Sequence, residues 1–255
     1  MIVVVAATIQ LAGFVALTVR LSFVSDSLAE AAWQGMFQSV SAFNSAGFDN
    51  LSESDSLSVF VADPIVLGIM GVLIFLGAIS YLAMVDVIRF RRFHFHGLSW
   101  VMVDVTRFRR FSLFTLNTKL VLILVLTLPV SGALVFFFAE YGNQATLGPL
   151  SLIDKAFVSV FESISGRTAG FSTVSYGEAE QHTSSFFIFL MFVGGASASV
   201  AGGIRVNTLG VVLVAVVSTL KASGQASAFG REIPQALVHR AMTIGVVAVA
   251  FVLLL

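Results

Sequence analysis

The chain contains no cysteine, which excludes a disulfide framework and any thiolate metal site and leaves the redox compartment unreadable. Charge is scarce. Only 11 % of the 255 residues are charged, against about 25 % in soluble globular chains. Catalytic signatures are absent as well: no His-Glu-x-x-His, phosphate loop or nucleophile elbow occurs. The four histidines fall at or outside the ends of the apolar runs, so no run offers a Ser/His pair. A dinucleotide site would need soluble sequence that is missing. These absences argue against an enzyme.

What remains is apolar. Hydrophobic residues make up 57 % of the chain and the mean hydropathy is +0.97. Runs at residues 2–24, 64–88, 118–139, 184–220 and 236–255 are long enough, or nearly so, for the ~20 residues a helix needs to cross a bilayer. Helix is the only open-chain way to satisfy the backbone in lipid, so the expected class is an all-α integral membrane protein. Ile2 to Val19 lacks the basic start and cleavage site of a signal peptide and reads as a spanning helix. The apolar run that stops at Leu255 without a polar flank predicts a chain cut from a longer protein. Two moderately apolar stretches, Ala31–Phe48 and Leu150–Phe171, are too short to cross and fit re-entrant segments.

Charge orients these runs. Arg89, Arg91, Arg92, Arg107, Arg109, Arg110 and Lys119 lie between the second and third, and Lys221, Arg231 and Arg240 between the fourth and fifth. The opposite loops carry mainly Asp and Glu. The basic loops are therefore cytoplasmic by the positive-inside rule, and both re-entrant segments open from the outer face. A juxtamembrane basic cluster is expected from topology and from contact with anionic lipid, so nucleic acid is not the expected partner. His94 and His96, among basic and aromatic residues, read as interfacial anchors rather than as a metal pair.

An internal repeat sets the architecture. Phe37-Gln-Ser-Val-Ser-Ala-Phe-Asn-Ser-Ala-Gly-Phe48 matches Phe161-Glu-Ser-Ile-Ser-Gly-Arg-Thr-Ala-Gly-Phe171, with one residue more in the first copy. The unit is span, half-helix, glycine-containing tail, span. A short helix entering from outside points its partial negative end towards the membrane centre. The extended tail can turn backbone carbonyls to a cation and replace its water shell. Glycine accepts the backbone angles such a tail needs. Gly47 with Asn44, Ser45 and Ala46, and Gly170 with Thr168 and Ala169, are the expected filter residues. A single Ala-Gly-Phe could simply be a tight turn closing a helix; two copies in matching places favour a pore.

Gly194-Gly-Ala-Ser-Ala-Ser-Val-Ala-Gly-Gly-Ile-Arg205 interrupts the fourth run. Its glycines, Gly194, Gly195, Gly202 and Gly203, lower helix propensity and predict a break that can act as a gate, with close packing of small residues as the alternative. Arg205, ionisable within an apolar stretch, belongs to the same suspicion. Arg167, directly before the second tail, and Glu162, five residues earlier, are candidate braces of that tail, or Arg167 is an outer-surface charge.

At these residues the chain resembles the Trk/Ktr/HKT superfamily of potassium transporters. Ser41 through Asp49 looks like the second pore loop of the bacterial potassium-uptake subunit, and Gly166 through Thr173 like the third. Gly194 through Thr208 is similar to the family's gating loop, with Ser197 and Ala198 where a Pro and an extra Gly are usual and Arg205 in place of Lys. Gly230 through Pro234 resembles the opening of the fourth repeat. The resemblance implies four repeats around one pore, a filter glycine in each, and a homodimer bound to a cytoplasmic nucleotide-binding ring. It implies K+ as the transported ion, with Na+ or H+ left open as the coupling ion, and no covalently bound cofactor. The location it implies is the cell membrane, crossed several times.

The expected organisation is a pore-loop repeat at 1–90, a cytoplasmic basic loop at 91–117, a second repeat at 118–222 and the start of a further repeat at 223–255. A secondary transporter with broken midplane helices and a non-conducting assembly subunit are the rival readings.

Overall fold

The computed structural model describes residues 2–25, 27–50, 56–79, 115–221 and 225–254. The arginine-rich part of the basic loop, with His94 and His96, lies outside the described residues, as do residues 80–88 of the second run.

Eight α-helices and a short 3-10 helix (Ser56–Phe60) carry the described chain: α1 (Ile2–Leu21), α2 (Leu28–Phe43), α3 (Pro64–Ala78), α4 (Leu116–Glu140), α5 (Leu152–Thr168), α6 (Gln181–Phe192), α7 (Val206–Leu220) and α8 (Gln235–Leu254). Of these, α1, α4 and most of α8 are long and apolar enough to cross a membrane. The fold is all-α and membrane-embedded, as the composition requires. The fourth run is two helices, α6 and α7, with irregular backbone between them, where the glycines predict a break. The described chain departs from all-α only at a hairpin, β1 (Ser227–Ala228) with β2 (Arg231–Glu232). Phe229 (φ 53°) and Gly230 (φ 72°) form its turn, the left-handed pair that suits a two-residue hairpin.

Both half-helices start in the same way. Ser27 Oγ accepts from the Glu30 N–H and Ser151 Oγ from the Asp154 N–H, each a serine N-cap with an acid in the first turn. Asp63 starts α3, accepting from the Ile65 and Val66 N–H groups ahead of Pro64 at the first helical position. It also binds Arg20, near the end of α1, at 2.9 Å.

The chain forms two compact units. The first comprises Met1–Ala78, Leu126–Gly195 and Ser199–Gly203; the second comprises Ile79–Val125, Ala196–Ala198 and Ile204–Leu255. In the first, Leu17, Leu67, Met70, Ile74, Phe136, Phe161, Phe171 and Phe187 form a continuous core. Apolar side chains such as Val4, Leu11, Val72 and Phe138 point outwards, the pattern of helices whose outer faces meet lipid rather than water. The second unit packs α7 with α8 and the hairpin. Lys119, in the first turn of α4, is buried there with its ammonium over the Phe229 ring.

Candidate functional site: two meeting pore loops and a glycine-rich segment

The half-helix α2 ends at Phe43, and its last turn is closed by backward bonds. Ser45 N–H donates to Ala42 O and Ala46 N–H to Ser41 O. In the second copy the Ala169 and Gly170 N–H groups both donate to Ser165 O. Gly47 (φ 73°) and Gly170 (φ 83°) then turn the chain through the left-handed region, where a Cβ costs about 1–2 kcal/mol. Ser45, the extra residue of the first copy, is itself left-handed (φ 50°). The insertion is thus absorbed locally and the two glycines stay equivalent.

Each tail is closed by the same bond. Ser41 Oγ donates to Phe48 O and Ser165 Oγ to Phe171 O, both at 2.6 Å. The N–H groups of residues 44–46, 169 and 170 turn back into the helices, and the carbonyls of residues 44–47 and 168–170 accept no backbone hydrogen bond among the described residues. The two loops also meet. A Cβ on Gly47 would lie 2.4 Å from Ala169 O, and the Gly170 Cα is 3.5 Å from the same point. The sequence-predicted filter residues of both repeats therefore form one site within one compact unit.

A second bond repeats behind the loops. Ser39 Oγ donates to Gln10 O in α1, and Ser163 Oγ to Pro129 O in α4, both at 2.6 Å. Three residues after each acceptor stands a glycine. A Cβ on Gly13 would come 2.8 Å from Ser39 Oγ, and one on Gly132 would come 2.2 Å from Ser163 Oγ. Sequence reading missed this clasp, although the equal Gln10–Gly13 and Pro129–Gly132 spacings carried the signal.

Glu162 is fully buried and grips the chain that follows the second tail. It accepts from Thr173 N–H at 2.6 Å, Thr173 Oγ1 at 2.8 Å and Tyr176 OH at 2.7 Å, and Ser172 Oγ approaches at 3.4 Å. Burial and the neighbouring Glu162 carboxylate push the Tyr176 phenol up, so it stays a proton donor. Arg167 is not the partner of Glu162. Its guanidinium is buried, and its Nε and Nη1 have no hydrogen-bond partner among the described residues. An outer-surface position for Arg167 is thereby excluded, and the described contacts give it no carboxylate or carbonyl to brace.

The C-terminal end of α4 holds a similar cage, around an acid that no local sequence signal marks. Glu140, fully buried, accepts from Asn143 Nδ2, Thr146 Oγ1 and Glu180 N–H at 2.7–2.9 Å.

The glycine-rich segment folds back on itself. Gly195 N–H donates to Gly202 O, and a Cβ on Gly194 would fall 1.5 Å from that oxygen, so only glycine allows the closure. Gly203 (φ 78°) and Ala198 (φ 60°) are left-handed. In the first unit the segment lies against the end of α3: Val200 N–H donates to Gly77 O, and a Cβ on Gly77 would lie 3.2 Å from Val200 Cγ2 and 2.0 Å from Phe43 O at the end of α2. In the second unit Arg205 precedes α7 and its Nη1 reaches Ala196 O at 3.4 Å. Among the described residues no cluster of three or more His, Asp or Glu could hold a metal.

Comparison with known proteins identifies the family and the fold. The family described as cation transport protein (TrkH) matches residues 1–255. The chain is 33 % identical over 219 residues to the Ktr system potassium uptake protein B of Bacillus subtilis, covering 86 % of this chain and 45 % of that protein. It is 30 % identical over 240 residues to the potassium/sodium uptake protein NtpJ of Enterococcus hirae, covering 94 % of this chain and 48 % of that protein. The fold matches the crystal structure of the potassium transporter TrkH from Vibrio parahaemolyticus with a TM-score of 0.70 at 18 % identity, over 95 % of this chain and 48 % of that one. The chain spans about half the length of the curated relatives it matches.

Proposed function

The chain belongs to the TrkH cation transport protein family, and from that premise we propose that it supplies two of the pore loops of a potassium-uptake transporter. The observation that carries this reading is the meeting of Gly47 and Gly170. Two equivalent left-handed glycines, each at the end of a half-helix, sit with their backbones in contact, and the carbonyls on either side have no backbone partner among the described residues. A ring of such carbonyls, completed by loops outside this chain, replaces the hydration shell of a monovalent cation. The half-helices add the partial negative charge of their C-terminal ends. Asn44 to Gly47 and Thr168 to Gly170 line this filter, Glu162 holds the second loop behind it, and Gly194–Arg205 is the segment whose movement opens the path.

The relatives with the word potassium in their names support K+ as the cargo. Sodium appears in the name of the E. hirae protein and is the competing ion to test. In the complete protein we place the pore in the cell membrane, as a homodimer on a cytoplasmic nucleotide-binding subunit that meets the basic inner loops.

Rubidium uptake by cells lacking their own potassium importers tests the reading, with the complete gene expressed intact or as Gly170→Asp. Uptake by the intact protein that collapses in the variant at equal membrane abundance places the filter at Gly170. Uptake indifferent to the variant removes the filter assignment, and uptake of sodium alone makes Na+ the cargo.

A further inference from the structure

Asparagine is a poor residue for a helix interior because its amide competes for backbone groups. Asn207 stands in the first turn of α7, two residues after Arg205, in an otherwise apolar run, and uses both ends of that amide. Its Oδ1 accepts from Ser197 N–H at 2.7 Å, ten residues back in the irregular segment. Its Nδ2 donates to Asn117 Oδ1 in the first turn of α4, ninety residues away in sequence. The bond to Ser197 closes next to Ala198, whose left-handed backbone (φ 60°) is an unfavourable state for a residue with a Cβ. A strained bend persists only when surrounding contacts hold it, and Asn207 supplies such a contact. The other end of the tether, Asn117, is where α4 begins, directly after the cytoplasmic basic loop.

We propose that Asn207 is the positioning residue of the glycine-rich segment: one amide ties the Ser197–Ala198 bend to Asn117, so that movement where α4 begins is passed to the segment. This rests on the segment being the gate of the transporter proposed above. No group need change its charge for it to work; the tether is made or broken by displacement of Asn117 relative to α7.

The bonds distinguish the variants. Asn207→Ala breaks both. Asn207→Asp keeps the acceptor for Ser197 N–H and loses the donor to Asn117. Asn117→Ala removes the second bond outright, whereas opposite the carboxylate of Asn207→Asp the Asn117 amide can turn its NH2 to restore part of it. If the tether restrains the segment, Asn207→Ala in the complete protein raises the maximal rate of rubidium uptake by about fivefold, a population shift on the scale of net hydrogen bonding, and Asn117→Ala, which loses one of the two bonds, raises it by less. The half-saturating concentration stays unchanged, because the filter is untouched, and the double variant gains no more than Asn207→Ala alone. A second readout needs no transport. The chain contains no cysteine, so Ser197→Cys, which keeps the residue 197 N–H, can be labelled with a membrane-impermeant maleimide in inverted vesicles after any native cysteines elsewhere in the gene are replaced. Labelling that quickens about fivefold with Asn207→Ala, and less with Asn207→Asp, supports the tether. Equal labelling rates in all three backgrounds overturn it, whatever the uptake shows. Faster labelling without rubidium uptake by the intact protein keeps the tether and removes the transport reading instead. Additive gains from Asn117→Ala and Asn207→Ala overturn the shared bond.

Discussion

The carbonyl oxygen of Ala169 occupies the space into which a side chain on Gly47 would project, 2.4 Å from where its Cβ would stand. The relationship is one-sided. Among the described residues a Cβ on Gly170 meets only the Gly47 Cα, at an ordinary 3.8 Å. Two positions that the sequence repeat makes equivalent are therefore unequal in what they tolerate.

Gly47→Ala must displace the Ala169 backbone and also hold a left-handed φ, whereas Gly170→Ala carries the φ cost alone, about 1–2 kcal/mol. In the complete protein Gly47→Ala is expected to lower rubidium uptake, and discrimination against sodium, by about tenfold more than Gly170→Ala, the factor that a further ~1.4 kcal/mol represents. Uptake assays at matched membrane abundance decide it. Gly170→Ala proving the more damaging would show that contact between the two loops is not the constraint.

Glu162 gathers its donors from Thr173, Ser172 and Tyr176, all beyond the second tail. Glu162→Gln puts an NH2 group among donors and leaves at least one of them unpaired in a buried site. The expected cost is about 2 kcal/mol, the scale of a lost charged hydrogen bond, read as a lower Tm of the purified protein. Because the bonds fix the chain leaving Gly170, weaker K+ over Na+ selectivity should accompany it. Glu162→Asp, which keeps the charge but shortens the reach, should lie between the two. Unchanged selectivity with a lowered Tm would make Glu162 a stabilising residue only.

Much of this was written in local sequence. The two half-helices, their serine caps, the left-handed glycines and the break in the fourth run follow from apolar length, capping residues and glycine placement, each acting over a few neighbouring residues. What sequence reading missed depends on partners far apart in the chain. Sequence marks Glu162 and Arg167 alike as candidate braces of the second tail, and only the fold shows that the donors on the Glu162 carboxylate come from Thr173 and Tyr176. Asn207 is one polar residue in an apolar run, and nothing near it announces Asn117. The hairpin at 227–232 rests on a Phe-Gly turn without the Asn-Gly or Asp-Gly signal, and its strands are two residues long.

Ala198 invites the opposite kind of change. It holds φ 60° at a position where family resemblance points to glycine. Ala198→Gly relieves the Cβ strain, about 1–2 kcal/mol, and returns roughly half of that as added freedom of the unfolded chain. A small gain in Tm is therefore expected, with Ala198→Val, β-branched in a region such residues avoid, moving it the other way. If glycine lowers Tm and valine does not, the left-handed bend at Ala198 is not a feature of the folded protein.

The serine clasp admits a sharper test, because its two halves can be separated by a mutant cycle. Ser163→Ala loses the bond to Pro129 O and leaves a small space, a cost of about 1 kcal/mol. Gly132→Ala is worse, since its Cβ would press on Ser163 Oγ at 2.2 Å and on Leu190 Cδ1 at 2.8 Å, forcing the serine off the carbonyl. Removing the hydroxyl first makes room: with Ser163→Ala in place, the closest serine-derived atom to that Cβ is the residue 163 Cβ, at 3.1 Å. The double variant should then be less destabilised than the sum of the two singles, by an interaction energy of about 1 kcal/mol. Thermal denaturation of the four purified proteins measures it. The matching cycle at Gly13 and Ser39 should show weaker coupling, because there the added Cβ meets the Leu73 methyl carbons at 2.7 Å as well as the hydroxyl at 2.8 Å, and removing the hydroxyl relieves only part of the crowding. Strict additivity at Gly132 and Ser163 would mean that the glycine is kept for the approach of Leu190 and not for the clasp.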